Sequence, residues 1–363
     1  MGRFIDNVER YVISPNDLIN VAIRCIDAGA IGICLVLDDS SRLISTITDG
    51  DVRRAMLAGI GFDESVVRLL ELKEKRTDRR IPVTRPVAMA DDLLLTTMKS
   101  EDVQHIPLLD DLGRVVDVAL LGKLISSNVL PVISAVIMAG GFGSRLRPLT
   151  ETVPKPMLPV GGKPLLERII NQLQSSGVHN VSITTHYLPD KIVEHFGGGQ
   201  DFGVNLSYVH EEQPLGTAGS LGLLDPPQDT ILVINGDILT NIDFRSMANF
   251  HRSHDAALTI AVRHYEVSVP YGVVISDGER VSEVREKPRL DFFINAGIYL
   301  MEPRVWPFIS RGEHLDMPRL IERLIETGAT VISFPLREYW LDVGRHNDYE
   351  QAETDIQNGK LDE

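Results

Sequence analysis

The sequence predicts an α/β protein in which a doubly wound, mixed but mostly parallel sheet follows a smaller α+β domain. From about residue 131 onward, apolar strand-like runs alternate with helical segments, the pattern of a doubly wound sheet. In the first 128 residues, the order helix, strand, turn, strand, helix occurs twice. A length of 363 residues also exceeds one average domain and suits two.

Composition and charge narrow the class of protein. The net charge of −15 argues against non-specific nucleic-acid binding, which depends on basic surface. No uninterrupted apolar run reaches about 18 residues, and the N-terminus "MGRFIDNVER" lacks the apolar core of a signal peptide. Cys25 and Cys34 lie in apolar surroundings and are expected to be small buried hydrophobes in a reducing compartment. We therefore expect a cytoplasmic protein.

The first copy of the repeat covers about residues 12–62. Ser14 is expected to cap a helix with Pro15 at its first position. The strand "GICLVLD", the turn "DSSR", the strand "LISTIT" and the helix "DGDVRRAMLAG" follow.

The second copy covers about residues 82–128 and has the same order. A helix "MADDLLLTTMKSE" precedes the strands "HIPLLD" and "VVDVAL", and "LGKLISS" begins another helix. The charged segment "ELKEKRTDRRIP" is expected to be a solvated helix end and linker between the copies. The sequence therefore predicts one domain over residues 1–128 and a second over residues 132–363.

The N-terminal domain resembles a tandem pair of cystathionine-β-synthase (CBS) domains, on the strength of "ITDGDVRRAML" at residues 47–57. Thr48, Asp49 and Asp51 lie at a strand-to-helix turn, where backbone N–H groups favour phosphate. The resemblance implies an adenine-nucleotide contact through Thr48 and Asp51, a regulatory role, and a homo-oligomer, expected to be a dimer, formed through the pair. The alternative is that the carboxylates only cap a helix. The second copy has "LLGK" in place of this pattern.

The sequence after residue 131 predicts alternating helices and strands. Expected helices cover residues 164–176, 190–196, 243–254 and 316–327. Expected strands follow the apolar run "PVISAVIMAG" and cover residues 180–185, 205–210, 230–234, 256–262 and 292–301. Ligands of such a sheet bind beyond the C-terminal ends of its strands.

The stretch "AGGFGSRLRPLTETVPKPMLPVGGKPLL" begins at the end of the first of these strands. Gly140, Gly141 and Gly143 let the backbone approach a ligand closely, so that its N–H groups can hold phosphate oxygens. Arg145 offers a two-pronged phosphate contact and Lys155 a point charge. Arg147 and Lys163 belong to the same basic cluster, and their roles stay open. Neither a Walker A loop nor a dinucleotide-binding fingerprint is present.

This stretch resembles the signature of the sugar-1-phosphate nucleotidylyltransferases, and the later segment "PLGTAG" resembles the guanylyl members that act on mannose 1-phosphate. Four later segments, in the same order as in that family, extend the resemblance to about residue 352: "YVHEEQPLGTAGS", "VINGDIL", "REKP" with "FINAGIYLM", and "YWLDVGRHNDYEQA". It implies that Arg145 and Lys155 are catalytic. It also implies a nucleotide site formed by Ala139, Gly140, Gly141, Gly143, Glu211, Gly216, Thr217 and Asp237. A sugar-phosphate site is implied at Tyr271, Gly272, Glu286, Lys287 and Asn295.

Asp237 and Asp342 each follow an apolar strand. Carboxylates of this kind hold Mg²⁺, whose remaining ligands are phosphate oxygens and water. We therefore expect Mg²⁺ as the cofactor.

The base of the nucleotide is predicted from Glu211. Uridylyl and thymidylyl members of the family commonly have Gln at this position. One carboxylate can accept both N1–H and N2–H₂ of guanine, whereas it repels the two carbonyls of uracil or thymine. GTP is therefore the expected nucleotide.

The expected reaction joins GTP to a sugar 1-phosphate and releases pyrophosphate. Mannose, a heptose and an amino sugar such as glucosamine all remain open. Two alternatives also remain: a uridylyl or thymidylyl transferase acting on glucose 1-phosphate, and a nucleotide sensor without catalytic activity. His251 and His254, three apart on a helix, are expected to lie at a solvated helix end and not in a metal site.

Overall fold

The protein is described from a computed structural model, which covers residues 4–5, 7–29, 31–76, 82–124 and 133–361. The chain divides into two compact units, Met1–Val129 and Leu130–Glu363. Residues 126–131, the segment "SSNVLP" between the two predicted domains, and residues 77–81 of the charged segment lie outside the described residues. Within those residues, no helix combines the length and apolar character needed to cross a membrane.

The first unit contains two three-stranded sheets with one shared topology. In each, a short first strand pairs in parallel with the second strand, which pairs antiparallel with the third. The element order that the sequence predicts is present in both copies. The elements are β1 Val12–Ile13, α1 Ile19–Gly29, β2 Ile33–Leu37, β3 Leu43–Thr48, α2 Asp49–Leu57, α3 Val66–Arg76, β4 Arg85–Pro86, α4 Asp91–Ser100, β5 His105–Leu109, β6 Val115–Leu120 and α5 Leu121–Leu124.

The start of α1 differs from the prediction, because the helix begins at Ile19 and not at Pro15. The backbone N–H groups of Ile19 and Asn20 donate to the carbonyls of Glu64 and Phe62, both at 2.9 Å. This pairing with a distant segment holds the chain out of the helix until Ile19. The local cap signal at Ser14 is overridden by tertiary structure.

The two halves of the first unit share apolar packing. Ile33 and Leu35 of β2 belong to the same buried cluster as Val118 and Leu120 of β6. The carboxylate of Asp117 accepts from the backbone N–H groups of Phe4 and Ile5 at 2.9 and 3.0 Å. The halves therefore form one folded unit. Their assignment to the CBS family stays a prediction.

The second unit is built on a seven-stranded sheet. Its strands and helices are β7 Ser134–Met138, β8 Pro159–Val160, β9 Lys163–Pro164, α6 Leu165–Ser175, β10 Asn180–Thr185, α7 Pro189–Phe196, β11 Asn205–His210, α8 Gly216–Gly219, β12 Ile231–Asn235, β13 Ile238–Thr240, α9 Phe244–Ser253, β14 Leu258–Ser268, β15 Val273–Asp277, β16 Arg280–Arg285, β17 Arg289–Met301, α10 Met317–Glu326, β18 Val331–Leu336, β19 Trp340–Asp342 and α11 His346–Gln357.

The strand order is β11-β10-β7-β12-β17-β14-β18. Four of the six pairings are parallel, and only β17 runs antiparallel to both of its neighbours. Two separate clusters of buried apolar side chains include residues from these strands and from the surrounding helices. The predicted mixed, mostly parallel α/β sheet is confirmed.

Two strands are longer than predicted, and the sheet strand β18 and the hairpins β8–β9 and β15–β16 were not predicted. β14 continues to Ser268 and β17 begins at Arg289, so the two form a ribbon beyond the sheet that carries the hairpin of β15 and β16. Charged residues alternate with apolar ones in this ribbon, and few of its side chains are buried. A prediction based on apolar runs therefore ends β14 too early and begins β17 too late.

His251 corrects a second expectation. Its side chain lies near the end of α9 but is only 1% exposed, so this is not a solvated helix end. Its ring nitrogens contact Thr259 Oγ1 at 2.7 Å and Glu302 Oε1 at 3.0 Å. Burial lowers the pKa of His251, and the Glu302 carboxylate opposes this shift without reversing it. The imidazole is therefore a buried polar link and not a metal ligand.

We expect acid to destabilise the second unit partly through His251. The lowered pKa means that the folded state binds fewer protons than the unfolded state below about pH 6.5, the ordinary histidine value. The contribution of neutral His251 to the free energy of unfolding is complete above that pH, and it is lost as the pH falls toward the folded-state pKa. The free energy of unfolding should therefore fall less steeply between pH 7.5 and 5.5 in His251→Gln than in the wild type.

Denaturant titrations followed by tryptophan fluorescence measure this effect selectively, because both tryptophans, Trp306 and Trp340, belong to the second unit. The exposed neighbour variant His254→Gln serves as the control. Equal pH slopes in the wild type and in His251→Gln would show that His251 makes no contribution.

Candidate active site

The candidate site lies at one edge of the seven-stranded sheet. The neighbouring parallel strands β10, β7 and β12 end there together. Two backbone hydrogen bonds bring the segments that follow them close: Ala139 N donates to Thr184 O at 3.0 Å, and Gly236 N donates to Met138 O at 2.9 Å. The glycine-rich loop after β7 and Asp237 after β12 are therefore adjacent, as expected for strand ends in such sheets.

A cavity of about 240 Å³ opens at this edge. It joins residues from five separate stretches of the chain. Eight of the predicted site residues line it: Ala139, Gly140, Gly141, Lys155, Glu211, Gly216, Thr217 and Asp237. Met138, Phe142, Pro156, Thr184, Pro214, Asn235 and Gly236, which were not predicted as site residues, complete the wall.

Lys155 lies between the two predicted metal-binding carboxylates. Its ammonium donates a short hydrogen bond to Asp237 Oδ2 and lies 4.0 Å from Asp342 Oδ1. The lysine is 8% exposed, and its backbone belongs to a short 3₁₀ turn after Pro154. Burial and the charge of Asp237 raise the pKa of Asp342, while Lys155 and Arg145 oppose this rise.

The carboxylates fit a divalent cation. Asp237 Oδ1 is buried and has no hydrogen-bond partner among the described residues, so one oxygen is left for an additional ligand. β13, which directly follows Asp237, pairs with β19, which ends at Asp342. Ile238 is opposite Asp342, and Val343 N donates to Asp237 O at 3.0 Å. No group of three or more His, Cys, Asp or Glu side chains suited to a metal occurs among the described residues. Two carboxylates with water and phosphate oxygens are the usual set for Mg²⁺.

Gly143 and Arg145 lie beside the cavity and not in its wall. Gly143 has a φ of 61° and accepts a hydrogen bond from Thr150 Oγ1 at 2.8 Å, which closes the turn before Arg145. Arg145 is exposed in the 3₁₀ turn Ser144–Leu146, close enough to Asp342 to lower the pKa of that carboxyl. The guanidinium therefore belongs to the charged rim of the site.

Glu211 contributes a buried carboxylate to the cavity. Its Oε2 accepts from Leu215 N at 3.1 Å, and its backbone N–H donates to Thr185 O at 2.8 Å. A Cβ atom added at Gly140 would lie 2.6 Å from Glu211 Oε1. Only glycine at position 140 leaves room for this carboxylate to face the cavity.

The loop that contains Gly216 and Thr217 is held by residues that the sequence did not reveal. Thr217 N donates to Asp316 Oδ1 at 3.1 Å, and Met317 N donates to Thr217 Oγ1 at 2.8 Å. Ala218 N and Gly219 N both donate to Leu315 O at 2.8 Å. From sequence, Asp316 suggests the start of a helix, but its carboxylate makes no cap bond to α10 and holds the loop instead.

Replacing Gly216 by alanine should disrupt this loop. Gly216 has a φ of 79°, and a Cβ there would lie 2.8 Å from the backbone oxygen of Leu315. Gly328 has a φ of 76° with open space around it, so Gly328→Ala is a matched control that has only the left-handed strain, about 1–2 kcal/mol.

Nucleotide affinity should fall at least ~10-fold in Gly216→Ala, equivalent to about 1.4 kcal/mol, and stay near the wild-type value in Gly328→Ala. Isothermal titration with nucleotide checks the affinity, and thermal unfolding checks the strain. A Gly216→Ala protein that binds nucleotide normally would contradict this account of the loop.

The predicted sugar-phosphate residues lie at the base of the β15–β16 hairpin and on β17. Gly272 approaches Glu286, whose Oε2 would lie 3.1 Å from a Cβ at position 272. Lys287 has a positive φ of 43°, and Tyr271 is 74% exposed. Asn295 lies on β17, where its Oδ1 accepts from Gly297 N at 3.0 Å. Tyr271, Gly272, Glu286 and Lys287 lie together at the base of the hairpin. Neither these four residues nor Asn295 line the cavity described above.

The residues predicted to bind a nucleotide in the first unit are linked to one another. Thr48 and Asp51 form a capping box at the start of α2. The buried Asp51 carboxylate also accepts from Arg54 at 2.6 Å and from Lys73 at 3.0 Å, and Asp49 pairs with Arg53 at 2.5 Å. These contacts fit the helix-cap alternative, and a ribose contact by Asp51 would have to replace some of them.

Comparisons with known proteins agree on the second unit. The sequence profile of the family described as Nucleotidyl transferase matches residues 134–359. The mannose-1-phosphate guanylyltransferase of Mycobacterium tuberculosis is 34% identical over 235 residues, which cover 62% of this chain and 65% of that protein. The UTP–glucose-1-phosphate uridylyltransferase of Synechocystis is 33% identical over 239 residues, covering 60% and 62%. The matched region thus spans a little under two thirds of these relatives.

A solved structure supports the fold. A protein from Bacillus anthracis, assigned as a glucose-1-phosphate thymidylyltransferase and crystallised with sucrose, is 26% identical with a TM-score of 0.50. The match covers 61% of this chain and 94% of that one. The mixed α/β sheet is therefore one that this group of proteins shares.

Proposed function

Since this chain belongs to the nucleotidyl transferase family, we propose that it joins GTP to a sugar 1-phosphate, giving a GDP-sugar and pyrophosphate. The observation that carries the proposal is the convergence of the glycine loop, Lys155, Glu211 and Asp237 on one cavity. If the glycine loop and the Lys155–Asp237 ion pair had only a structural role, four segments that are distant in sequence would not need to meet at the end of the sheet.

The reaction needs charge neutralisation and alignment more than covalent chemistry. An oxygen of the sugar phosphate attacks the α-phosphorus of GTP in line, the bond to the bridging oxygen of the β-phosphate breaks, and pyrophosphate leaves. The backbone of Gly140 and Gly141 approaches the phosphates. Lys155 and Arg145 offset the negative charge on the transferring group and on the leaving pyrophosphate. No side chain is required as nucleophile or base, because a sugar phosphate is already ionised at neutral pH.

Asp237 and Asp342 would hold Mg²⁺, which, when bound, neutralises charge on the nucleotide phosphates. Lys155 pairs with both carboxylates in the structure. When the nucleotide binds, this ammonium is free to turn from the carboxylates toward phosphate. The carboxylate pair therefore both positions Lys155 and provides the metal site.

Glu211 supports guanine as the base. Its Oε2 is engaged by Leu215 N, so Oε1, the atom nearest Gly140, is the oxygen left for a ligand. In Glu211→Gln, the amide oxygen can keep the bond to Leu215 and the NH₂ group then occupies the Oε1 position. That NH₂ faces the N–H donors of guanine unfavourably and the carbonyl acceptors of uracil or thymine favourably.

Glu211→Gln should therefore raise the KM for GTP by about 10- to 100-fold, since a hydrogen bond to a charged group contributes about 1.5–3 kcal/mol. Use of UTP or dTTP relative to GTP should improve. Glu212→Gln, an exposed neighbour with the same chemical change, is the control. A wild-type preference for UTP or dTTP would contradict the guanine assignment.

Mannose 1-phosphate is the sugar substrate that we propose, supported by the guanylyltransferase relative from Mycobacterium tuberculosis. The direct test measures pyrophosphate release from each of GTP, UTP, dTTP, ATP and CTP with mannose, glucose, glucosamine and heptose 1-phosphates. We expect the highest kcat/KM for GTP with mannose 1-phosphate. The uridylyltransferase relative favours the second candidate, UTP with glucose 1-phosphate, and the same panel separates the two.

For the first unit we propose a CBS pair that senses a nucleotide and forms a homodimer. The shared topology of its two sheets supports this proposal. Titration of the full chain with AMP, ADP and ATP, compared with Thr48→Val, tests the nucleotide site, and light scattering tests the dimer. Absence of binding below about millimolar concentration would leave the unit without this role. Mg²⁺ and a cytoplasmic location stay predictions.

A further inference from the structure

A second cavity in the second unit, of about 300 Å³, lies on α6, β13 and the chain near Leu361. None of the residues assigned to nucleotide, sugar or metal lines it. Residues 235–237 border the nucleotide cavity, and the next residues, 238–242, border this second one. The two cavities therefore lie along consecutive parts of one short segment.

The charge of this second cavity is unusual for the chain. Among the described residues, its lining contains two cations, Lys163 and Arg168, and no carboxylate, although the whole chain has a net charge of −15. Neither cation has an ion pair among the described residues. Lys163 is exposed, while Arg168 is held in place by donating from Nε to Val160 O at 2.9 Å and from Nη2 to Gly161 O at 3.2 Å.

These contacts leave the guanidinium of Arg168 fixed with Nη1 still available. A fixed guanidinium beside a mobile ammonium is a combination that suits phosphate. Asn171, Gln172 and Asn241 add amide groups to the lining, and Ile169, Ile238 and Ile242 form an apolar part. The amide nitrogens of Gln172 and Asn241 donate to Ile242 O at 3.0 Å and to Lys360 O at 3.1 Å, which holds their amide oxygens in place. The polar and apolar parts together suit a phosphate attached to an organic group.

We propose that this cavity is a second binding site, for a small organic phosphate of the size of a nucleoside monophosphate. Its volume exceeds that of the nucleotide cavity, 300 against 240 Å³. The cations would bind the phosphate, and the amide and aliphatic groups would contact the organic part.

The position of the site couples it to the two carboxylates of the candidate active site. β13 forms part of the cavity and follows Asp237 directly, and its Ile238 pairs with Asp342 on β19. Asn241 N also donates to Tyr339 O at 3.1 Å. A ligand whose affinity differs between two conformations of the β13–β19 pair shifts the population toward one of them. This shift changes the distance between the two carboxylates and so changes turnover.

Binding is measured first, because it does not depend on the proposed function. The background variant Lys155→Met/Glu211→Ala removes a cation and the base acceptor from the first cavity. GMP, GDP, mannose 1-phosphate and inorganic phosphate are titrated into this background by calorimetry. We expect one of the organic phosphates to bind it at least ~10-fold more tightly than inorganic phosphate does.

The same titration follows with Lys163→Gln/Arg168→Gln added to the background. Affinity should fall at least ~30-fold, whereas the control pair Lys191→Gln/Arg252→Gln, two exposed cations outside both cavities, should leave it unchanged. Ser175→Trp, which adds a bulky side chain at the cavity wall on α6 and retains both cations, should cause the same loss if the charge variant fails to fold. Equal affinity for inorganic phosphate would overturn the organic-ligand assignment.

The regulatory part rests on the proposed function and is tested in the otherwise wild-type chain. The organic phosphate identified above should change the affinity for GTP by about 5- to 150-fold, with a change in turnover beside it, and both changes should disappear in Lys163→Gln/Arg168→Gln. Absence of binding to the background variant up to ~10 mM overturns the second site, even if the wild type releases pyrophosphate normally. Absence of pyrophosphate release, with binding intact, instead contradicts only the proposed reaction.

Discussion

Asp237→Asn should lower Mg²⁺-dependent turnover by about 10³-fold while the protein stays folded, since the loss of one metal ligand removes several kcal/mol of transition-state stabilisation. The carboxylate is placed for this role by the end of β12, and its Oδ1 is buried without a hydrogen-bond partner among the described residues. Asparagine keeps the shape of the side chain but presents a neutral, weaker ligand. Steady-state pyrophosphate release at varied Mg²⁺ measures the effect.

The control for this substitution is Asp225→Asn, which makes the same chemical change at an exposed position outside the cavity. Thermal unfolding should give similar Tm values for both variants, because the Asp237 side chain makes no hydrogen bond other than the one with Lys155 among the described residues, and the backbone bond from Val343 N is kept. A folded Asp237→Asn protein with turnover close to the wild type would rule out the metal role.

Lys155→Met should lower kcat by about 10²- to 10³-fold, the size of effect seen when one preorganised charge-stabilising donor is lost. Methionine retains the apolar stem in a buried position but leaves Asp237 and Asp342 without their shared cation. Lys191→Met, at an exposed position of α7, is the matched control.

The pH dependence of Lys155→Met distinguishes an electrostatic role from a packing role. Lys155 lowers the pKa of Asp342, which burial and Asp237 raise, so loss of the ammonium raises this pKa further. Asp342 is then protonated up to a higher pH, and a protonated carboxyl is a poor metal ligand. The acid limb of the kcat profile should therefore move to higher pH, and an unchanged profile with reduced kcat would indicate packing alone.

Local sequence patterns predicted the part of the site that depends on the order of strands and loops. A buried strand followed by three glycines gave the position of Gly140, and the strand "ILVIN" gave that of Asp237. Strand ends of a parallel sheet meet at one edge, so these two segments had to be neighbours once the sheet was assigned. That Glu211 belongs to the site was implied by the family resemblance of "YVHEEQPLGTAGS", and the structure places it in the cavity wall, while its contact with guanine stays a prediction.

Other features depend on contacts between distant residues, which no local pattern encodes. Asp316 holds the loop at Thr217 across 99 positions of sequence, and it looks like an ordinary helix cap. His251 is hidden by Thr259 and Glu302, so a histidine near a helix end proved to be buried. The late start of α1 at Ile19 likewise results from pairing with residues 62–64.

The position of the transferred phosphorus tests the central claim most directly. GTP that carries radioactive phosphorus at either the α or the γ position is incubated with mannose 1-phosphate, Mg²⁺ and the full chain, and the products are separated. The account predicts that α-label appears in the nucleotide sugar and γ-label in pyrophosphate. Label from the γ position in the sugar product, or no labelled sugar nucleotide in the presence of folded protein, would contradict it.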